Sequence, residues 1–287
     1  MAAFALTPGG PEGRRVVQAG VAAAEANAGL VWERYLPLWR GDERDPKRKT
    51  ADEKREGNAT HRALEGFAKD RHAARKTMEP WLRDHLDRQR RALEHLARRS
   101  ERVLRTIEVR TVARFATGLG AGHPTENGFS FDPSSGLPFI PGSALKGLCR
   151  RAAVLGGRDE VTCSQWFGPE RITASSPATQ GEVAFFDAYP AQWPRLAVDI
   201  VNCHHPDYYR TQTHKDRAKR KPPTETEDPV PVYFLTVDKG AVFSVRLLAR
   251  ASDADAVAEV LRLGLEWLGI GAKTAVGYGL MEDTGSG

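Results

Sequence analysis

Two groups of residues in this chain could do chemistry, and in both the chemistry is the holding of anions. Near the C-terminus, Gly269-Ile270-Gly271-Ala272-Lys273-Thr274-Ala275-Val276-Gly277-Tyr278-Gly279 sets four glycines around one lysine. Glycine permits φ > 0 and the close approach of another chain. Successive amides in such a turn make a concave anion site, and Lys273 adds a point charge suited to a phosphate. The turn is not a P-loop, because Lys273 follows Ala272 instead of a glycine at the required spacing. It is not a dinucleotide fingerprint either, because a helical pattern and not a strand precedes it. The same residues also fit an ordinary helix-to-strand connection closed by a glycine C-cap. In the second group, Ser143 opens a helix that carries Lys146 and Arg150 four residues apart. Lys146 falls in the first turn, where the macrodipole favours anions. The two like charges repel by a few tenths of a kcal/mol. A phosphate at the helix N-terminus would relieve both problems; so would two side chains extended into water.

Composition limits what these groups can serve. The 287 residues are 40% apolar and 28% charged, with a formal charge of +5. That describes a soluble globular chain and permits nucleic-acid binding without requiring it. No run of apolar residues is long enough to span a membrane, and Met1 to Gly13 do not have the pattern of a secretory signal. The three cysteines, Cys149, Cys163 and Cys203, show no CxxC spacing. This argues for a reducing, cytoplasmic setting and against a disulfide framework or a zinc knuckle.

The elements that must position the two groups read as follows. Val16 to Trp39 is alanine-rich and broken by Gly20, Gly29 and Pro37, and Gly41 to Asn58 is a charge-dense run, a solvated loop or a frayed helix. Thr60 to Arg105 gives one or two helices, with Pro80 expected in a first turn. Leu82, Leu86, Leu93 and Leu96 form an apolar stripe there. Arg83, Arg88, Arg90, Arg91, Arg98 and Arg99 form either a solvated face laced with ion pairs or a basic flank toward RNA or a partner subunit.

From Thr106 the period changes to two, and Ile107, Val109, Thr111, Ala113 and Phe115 predict a strand. Leu145, Leu148, Cys149 and Ala152 share the buried face of the helix after Ser143. Strand composition returns at Gly181 to Tyr189 and at Leu196 to Val201. Thr211 to Asp228, led by Lys215, Arg217, Lys219, Arg220 and Lys221, reads as a thumb-like insertion. Val232–Val237 and Ala241–Ala249 predict a hairpin across Asp238-Lys239-Gly240. Ser252 and Asp255 predict a capping box for a helix whose stripe is Val257, Val260, Leu261, Gly264, Leu265 and Leu268. Tyr278 to Met281 predicts a last strand. The order is βαββαβ, an α+β, ferredoxin-like pattern with insertions, the sheet that displays aromatic rings to RNA in RRM modules. The expected division is a helical extension over 1–105, packed on the core, and one domain over 106–287 with the thumb at about 204–230.

Three stretches carry a family resemblance. They are Gly118-Leu119-Gly120, the block Ile140-Pro141-Gly142-Ser143-Ala144-Leu145-Lys146-Gly147, and the terminal glycine turn. Together they resemble the RAMP superfamily, the repeat-associated proteins of CRISPR systems. Asp199-Ile200-Val201-Asn202-Cys203-His204-His205-Pro206-Asp207-Tyr208-Tyr209, followed by Pro231 to Val237, narrows the resemblance to the sixth-subunit family of Cmr-type (type III-B) effector complexes. Ala144 stands where that family often has a second serine. The resemblance covers Thr106 onward and implies a ferredoxin-like fold. It implies binding of guide (CRISPR) RNA near its 3′ end, docking to backbone RAMP subunits, and a part in capturing complementary target RNA in antiviral defence. It places RNA contacts at Ser143, Lys146 and Arg150, at Gly271, Ala272, Lys273 and Thr274, and at Lys215 and Arg217. It implies no cofactor and no membrane partner.

Two other readings stay open. Some RAMP proteins are metal-independent nucleases that activate a ribose 2′-OH with a general base beside a lysine. Here His204, His205 or His214 would act with Lys146 or Lys215. A protein-only adaptor is the other reading. Metal binding is not expected, because His204, His205 and Asp207 are too close in sequence and no HExxH or HxxxH spacing supports them.

Overall fold

The period-two pattern begins at Val103 and ends at Thr111. In it Ile107, Val109 and Thr111 are buried, whereas Thr106 and Arg110 are exposed. The computed structural model describes residues 27–35, 53–170, 179–203, 205, 208, 211–213, 216–219, 221–223 and 230–285. In chain order its elements are α1 Glu53–Ala73, α2 Arg75–Arg99, β1 Val103–Thr111, α3 Gly142–Leu155, α4 Glu160–Phe167, β2 Ala184–Phe185, β3 Tyr189–Pro190, β4 Leu196–Cys203, β5 Val230–Val237, β6 Val242–Ala249, α5 Ala254–Trp267 and β7 Met281–Asp283. A helical turn at Ala28–Leu30, continued by a π turn at Val31–Tyr35, precedes them.

The main sheet is antiparallel, in the order β2, β6, β1, β7, with β3 also on β6. β4 and β5 form a second antiparallel pair, tied to the first sheet by the bridge Phe115–Val237. The hairpin expected between 232–237 and 241–249 does not form: β5 pairs with β4, and β6 pairs with β1. Nearly every residue of β6 is buried on both faces, which requires a central position in a covered sheet. The turn after β5 hands its backbone to β1 instead, as the Gly240 N–H donates to the Thr111 carbonyl at 2.8 Å.

α3 and α5 lie side by side on one face. Leu145, Cys149, Val257, Leu261 and Leu265 join Ile107, Val109, Phe243, Val245 and Leu247 in one core. Gly264 lets the helices touch, since a Cβ there would stand 3.1 Å from both Leu148 and Ala152 side chains. α5 carries the predicted stripe, but the capping box is not made. Asp253 is the N-cap without a side-chain cap, and Asp255 pairs with Arg105 at 2.7 Å. That distant arginine competes successfully for the carboxylate.

α2 lies across the opposite face. Leu82 packs on Leu137 and Tyr189, Gln89 donates to the Asp187 carbonyl at 3.0 Å, and Arg246 reaches the Gln89 side chain. Pro80 sits inside α2, not in its first turn; the break between helices falls at Ala74, which is fully buried. The sheet face under α2 offers Thr106, Glu108, Ser244 and Arg246, in facing pairs. Tyr189, opposite Ser244, is buried there. The RRM-like display of aromatic rings is therefore absent from this face. α1 sends Leu64 and Phe67 into the main core with Trp32 and Phe131, and Trp32 stacks on His123 at 4.3 Å. No helix among the described residues is long and apolar enough to cross a membrane. The expectations for 16–26 and for 41–52 fall outside the described residues.

Candidate nucleic-acid interface

The glycine turn is pinched at its base. The Ile270 N–H donates to Gly279 at 3.0 Å, while Ala272 and Gly279 donate to the carbonyls of Ala116 and Arg114 at 2.7 and 2.9 Å. Two of its glycines are needed for this docking. A Cβ on Gly271 would meet the Ala116 carbonyl at 2.3 Å, and one on Gly279 the Ile270 carbonyl at 1.9 Å; their φ values are +93° and +73°. Lys273 itself is left-handed, with φ +61°. The glycines that dock the turn, Gly271 and Gly279, are thus separate from its tip. At the tip, the amides of Lys273, Thr274 and Ala275 have no hydrogen-bond partner among the described residues. The Lys273 ammonium rests over the Phe234 ring at 5.3 Å.

A polar lock holds this turn against β4. The Tyr278 hydroxyl donates to Asp199 at 2.7 Å, and Arg114 donates to the same carboxylate oxygen at 2.8 Å. Arg114 also meets Asp238 at 3.5 Å. Burial opposes ionisation of Asp199, but the bonds from Tyr278 and Arg114 outweigh it and hold the carboxyl below the usual aspartate range. Burial first, and the Asp199 carboxylate next, push the Tyr278 phenol up to about 12. None of these acidic and basic partners shows in local spacing, because Asp199 lies 79 and 85 positions from the groups it joins.

α3 begins at Gly142, not Ser143, with Pro141 as N-cap. Its first amide is already occupied: the Gly142 N–H donates to the Asp187 carboxylate at 2.7 Å. A protein carboxylate, not an external phosphate, stands at that helix end and complements the dipole. Ser143 is exposed. Lys146 is half-buried, with no ion-pair partner among the described residues. Arg150 turns inward, bonding the Gly168 carbonyl that follows α4 and lying 5.4 Å over the Phe167 ring. The structure therefore does not leave Lys146 and Arg150 as equal free cations. The α3 start sits by Asp187, near Arg246 and hence opposite Thr106, whereas the glycine turn docks beyond Thr111, on Arg114 and Ala116.

Arg217 is exposed in a 3₁₀ turn, Arg217–Lys219. Lys215, Arg220, His204 and His214 lie outside the described residues, as does most of the expected thumb. His205 Nδ1 is buried without a hydrogen-bond partner among the described residues. Among the described residues no group of three or more His, Cys, Asp or Glu side chains could hold a metal ion.

An antiparallel sheet with two helices on one face, closed by a glycine turn, defines the class. Residues 107–282 match the model of the RAMP superfamily, and the chain belongs to that superfamily. Within it, the chain is similar to the "CRISPR system Cmr subunit Cmr6" of Pyrococcus furiosus, 28% identical over 62% of this chain and 67% of that protein. It is also similar to the "CRISPR system CMR subunit Cmr6" of Saccharolobus solfataricus, 28% identical over 62% of this chain and 55% of that protein. The chain thus spans between about half and two thirds of these relatives' lengths. A chain of the "Cryo-EM structure of the Type III-B Cmr-beta bound to cognate target RNA" shares the fold. It has a TM-score of 0.61 and 23% identity, covering 83% of this chain and 76% of that one.

Proposed function

We propose that this chain is a non-catalytic, RNA-binding subunit of a type III-B CRISPR effector complex in the cytoplasm. It caps a filament of backbone RAMP subunits near the 3′ end of the guide RNA and helps capture complementary target RNA. The names of the two relatives support membership of such a complex. The order β1, α3, β2/β3, β6, α5, β7, with β1 and β6 central, supports a ferredoxin-like unit carrying the β4–β5 pair as an insertion.

One observation carries the RNA reading. Three successive amides, Lys273 to Ala275, without a partner among the described residues, crown a turn whose base is bonded to Arg114 and Ala116. A phosphate oxygen suits such a nest, and the Lys273 ammonium is at hand. Lys146 is a second phosphate contact. Ser143, Arg217 and the remaining N–H groups of Arg150 add further contacts. Because α3 and the turn are set apart, they grip different nucleotides.

The test is a salt titration of guide-RNA binding. Lys273→Ala and Lys146→Ala are each expected to weaken binding for all sequences alike and to lower the slope of log affinity against log salt by roughly one. Wild-type affinity in both variants would overturn the interface. Cleavage of RNA by the isolated chain, lost in His205→Ala, would overturn the non-catalytic assignment.

A further inference from the structure

Between the second half of α3 and α4 opens a cleft of about 430 Å³, with Gly147, Arg151, Val154 and Leu155 in its wall. Three features of it have no use in the glycine-turn interface.

The first is apolar surface. Val154 is 59% exposed and Leu155 63%, and Val161, next to the lining residue Glu160, is 77% exposed. Singly exposed apolar residues are ordinary; three within eight positions around one cleft form a patch of the kind that meets a partner. The second is Gly147. It stands inside a helix, where glycine is a poor former, and a Cβ there would meet nothing within 4 Å. Nothing among the described residues requires its bare backbone, which leaves room for an outside group to come close. The third is charge. Arg151 is exposed and has no ion-pair partner among the described residues. Arg150 and Arg158 are turned onto the rings of Phe167 and Trp166, and Glu160 and Glu170 stand in the same wall. The two carboxylates offset two of the three guanidinium groups in the wall, so it has little net charge to draw a continuous polyanion, whereas the exposed Arg151 guanidinium beside apolar side chains accepts an isolated carboxylate.

We propose that this cleft seats a segment of a neighbouring protein subunit. An apolar side chain of the segment packs on Val154 and Leu155, its backbone runs close over Gly147, and an acidic side chain pairs with Arg151. The proposal rests on the reading of the chain as a subunit of a larger assembly, and it adds a protein-docking face apart from the RNA-binding turn.

The test uses the full chain reconstituted with its neighbouring subunits and guide RNA. Arg151→Glu combined with Leu155→Asp, and separately Gly147→Gln, are expected to lower incorporation into the complex about tenfold or more, read by native mass spectrometry. All these positions except Gly147 are surface side chains, and an unchanged melting curve verifies the fold. RNA affinity of the isolated Leu155→Asp chain, changed outside the stretch 142–151, should stay at the wild-type value. A photoreactive benzoylphenylalanine at Val154 should yield an adduct with a subunit peptide that contains Asp or Glu. Wild-type incorporation of the variants, or an adduct with RNA or with nothing, would overturn the proposal. Failure of the RNA-binding reading itself would appear separately, as an isolated wild-type chain that does not bind RNA.

Discussion

At the scale of single residues, the proposed RNA contacts differ in what the fold already asks of them. Arg150 bonds Gly168 and lies on Phe167, so Arg150→Ala is expected to cost about 1–2 kcal/mol of stability in urea denaturation. Lys146→Ala removes no such contact, and its effect should stay within about 0.5 kcal/mol. Asp199 makes a pH prediction. Its carboxyl is held below the usual range by the Tyr278 and Arg114 bonds, against the opposing effect of burial. A depressed folded-state value contributes stability above the ordinary aspartate range and loses it as pH falls through the depressed value. Asp199→Asn should therefore be less stable at neutral pH and should lose less on acidification than wild type. Denaturation curves at neutral and acid pH read this directly, and identical acid losses in the two proteins would show that the lock contributes nothing.

At the scale of elements, the glycines divide by what surrounds them. Gly279→Ala places a Cβ 1.9 Å from the Ile270 carbonyl, whereas Gly277→Ala meets open space at φ +90°. Gly277→Ala should cost about 1–2 kcal/mol from conformation alone, and Gly279→Ala distinctly more, with a correspondingly larger fall in melting temperature. Gly147→Ala should instead stabilise the isolated chain, by up to about 1 kcal/mol. What the sequence made legible follows the same division between local and distant. Helical and strand periods located α3, β1, β6 and α5, because amphipathic faces are written in neighbouring residues. The glycine turn was legible as a turn, because its spacing is local too. Strand partners were not. Val232–Val237 and Ala241–Ala249 look like a hairpin, yet each finds a better partner elsewhere. The Asp187 cap on α3 comes from 45 positions away, and no spacing rule reaches that far.

At the scale of the whole molecule, each face has a separate occupant. One face of the main sheet is filled by α3 and α5, and the other is crossed by α2 through Leu82, Gln89 and Arg246. On the proposed function, RNA is held by loops and helix ends at the rim, through phosphates, and not by stacking on the sheet. Binding of that kind is tolerant of sequence and steep in salt. The most direct measurement is ultraviolet crosslinking of RNA to protein in the reconstituted complex, with the crosslinked peptides mapped by mass spectrometry. The account predicts crosslinks in 142–151 and in 269–279. Subunit contacts without RNA crosslinks in either stretch would contradict it, leaving the glycine turn a packing device and the chain a protein adaptor.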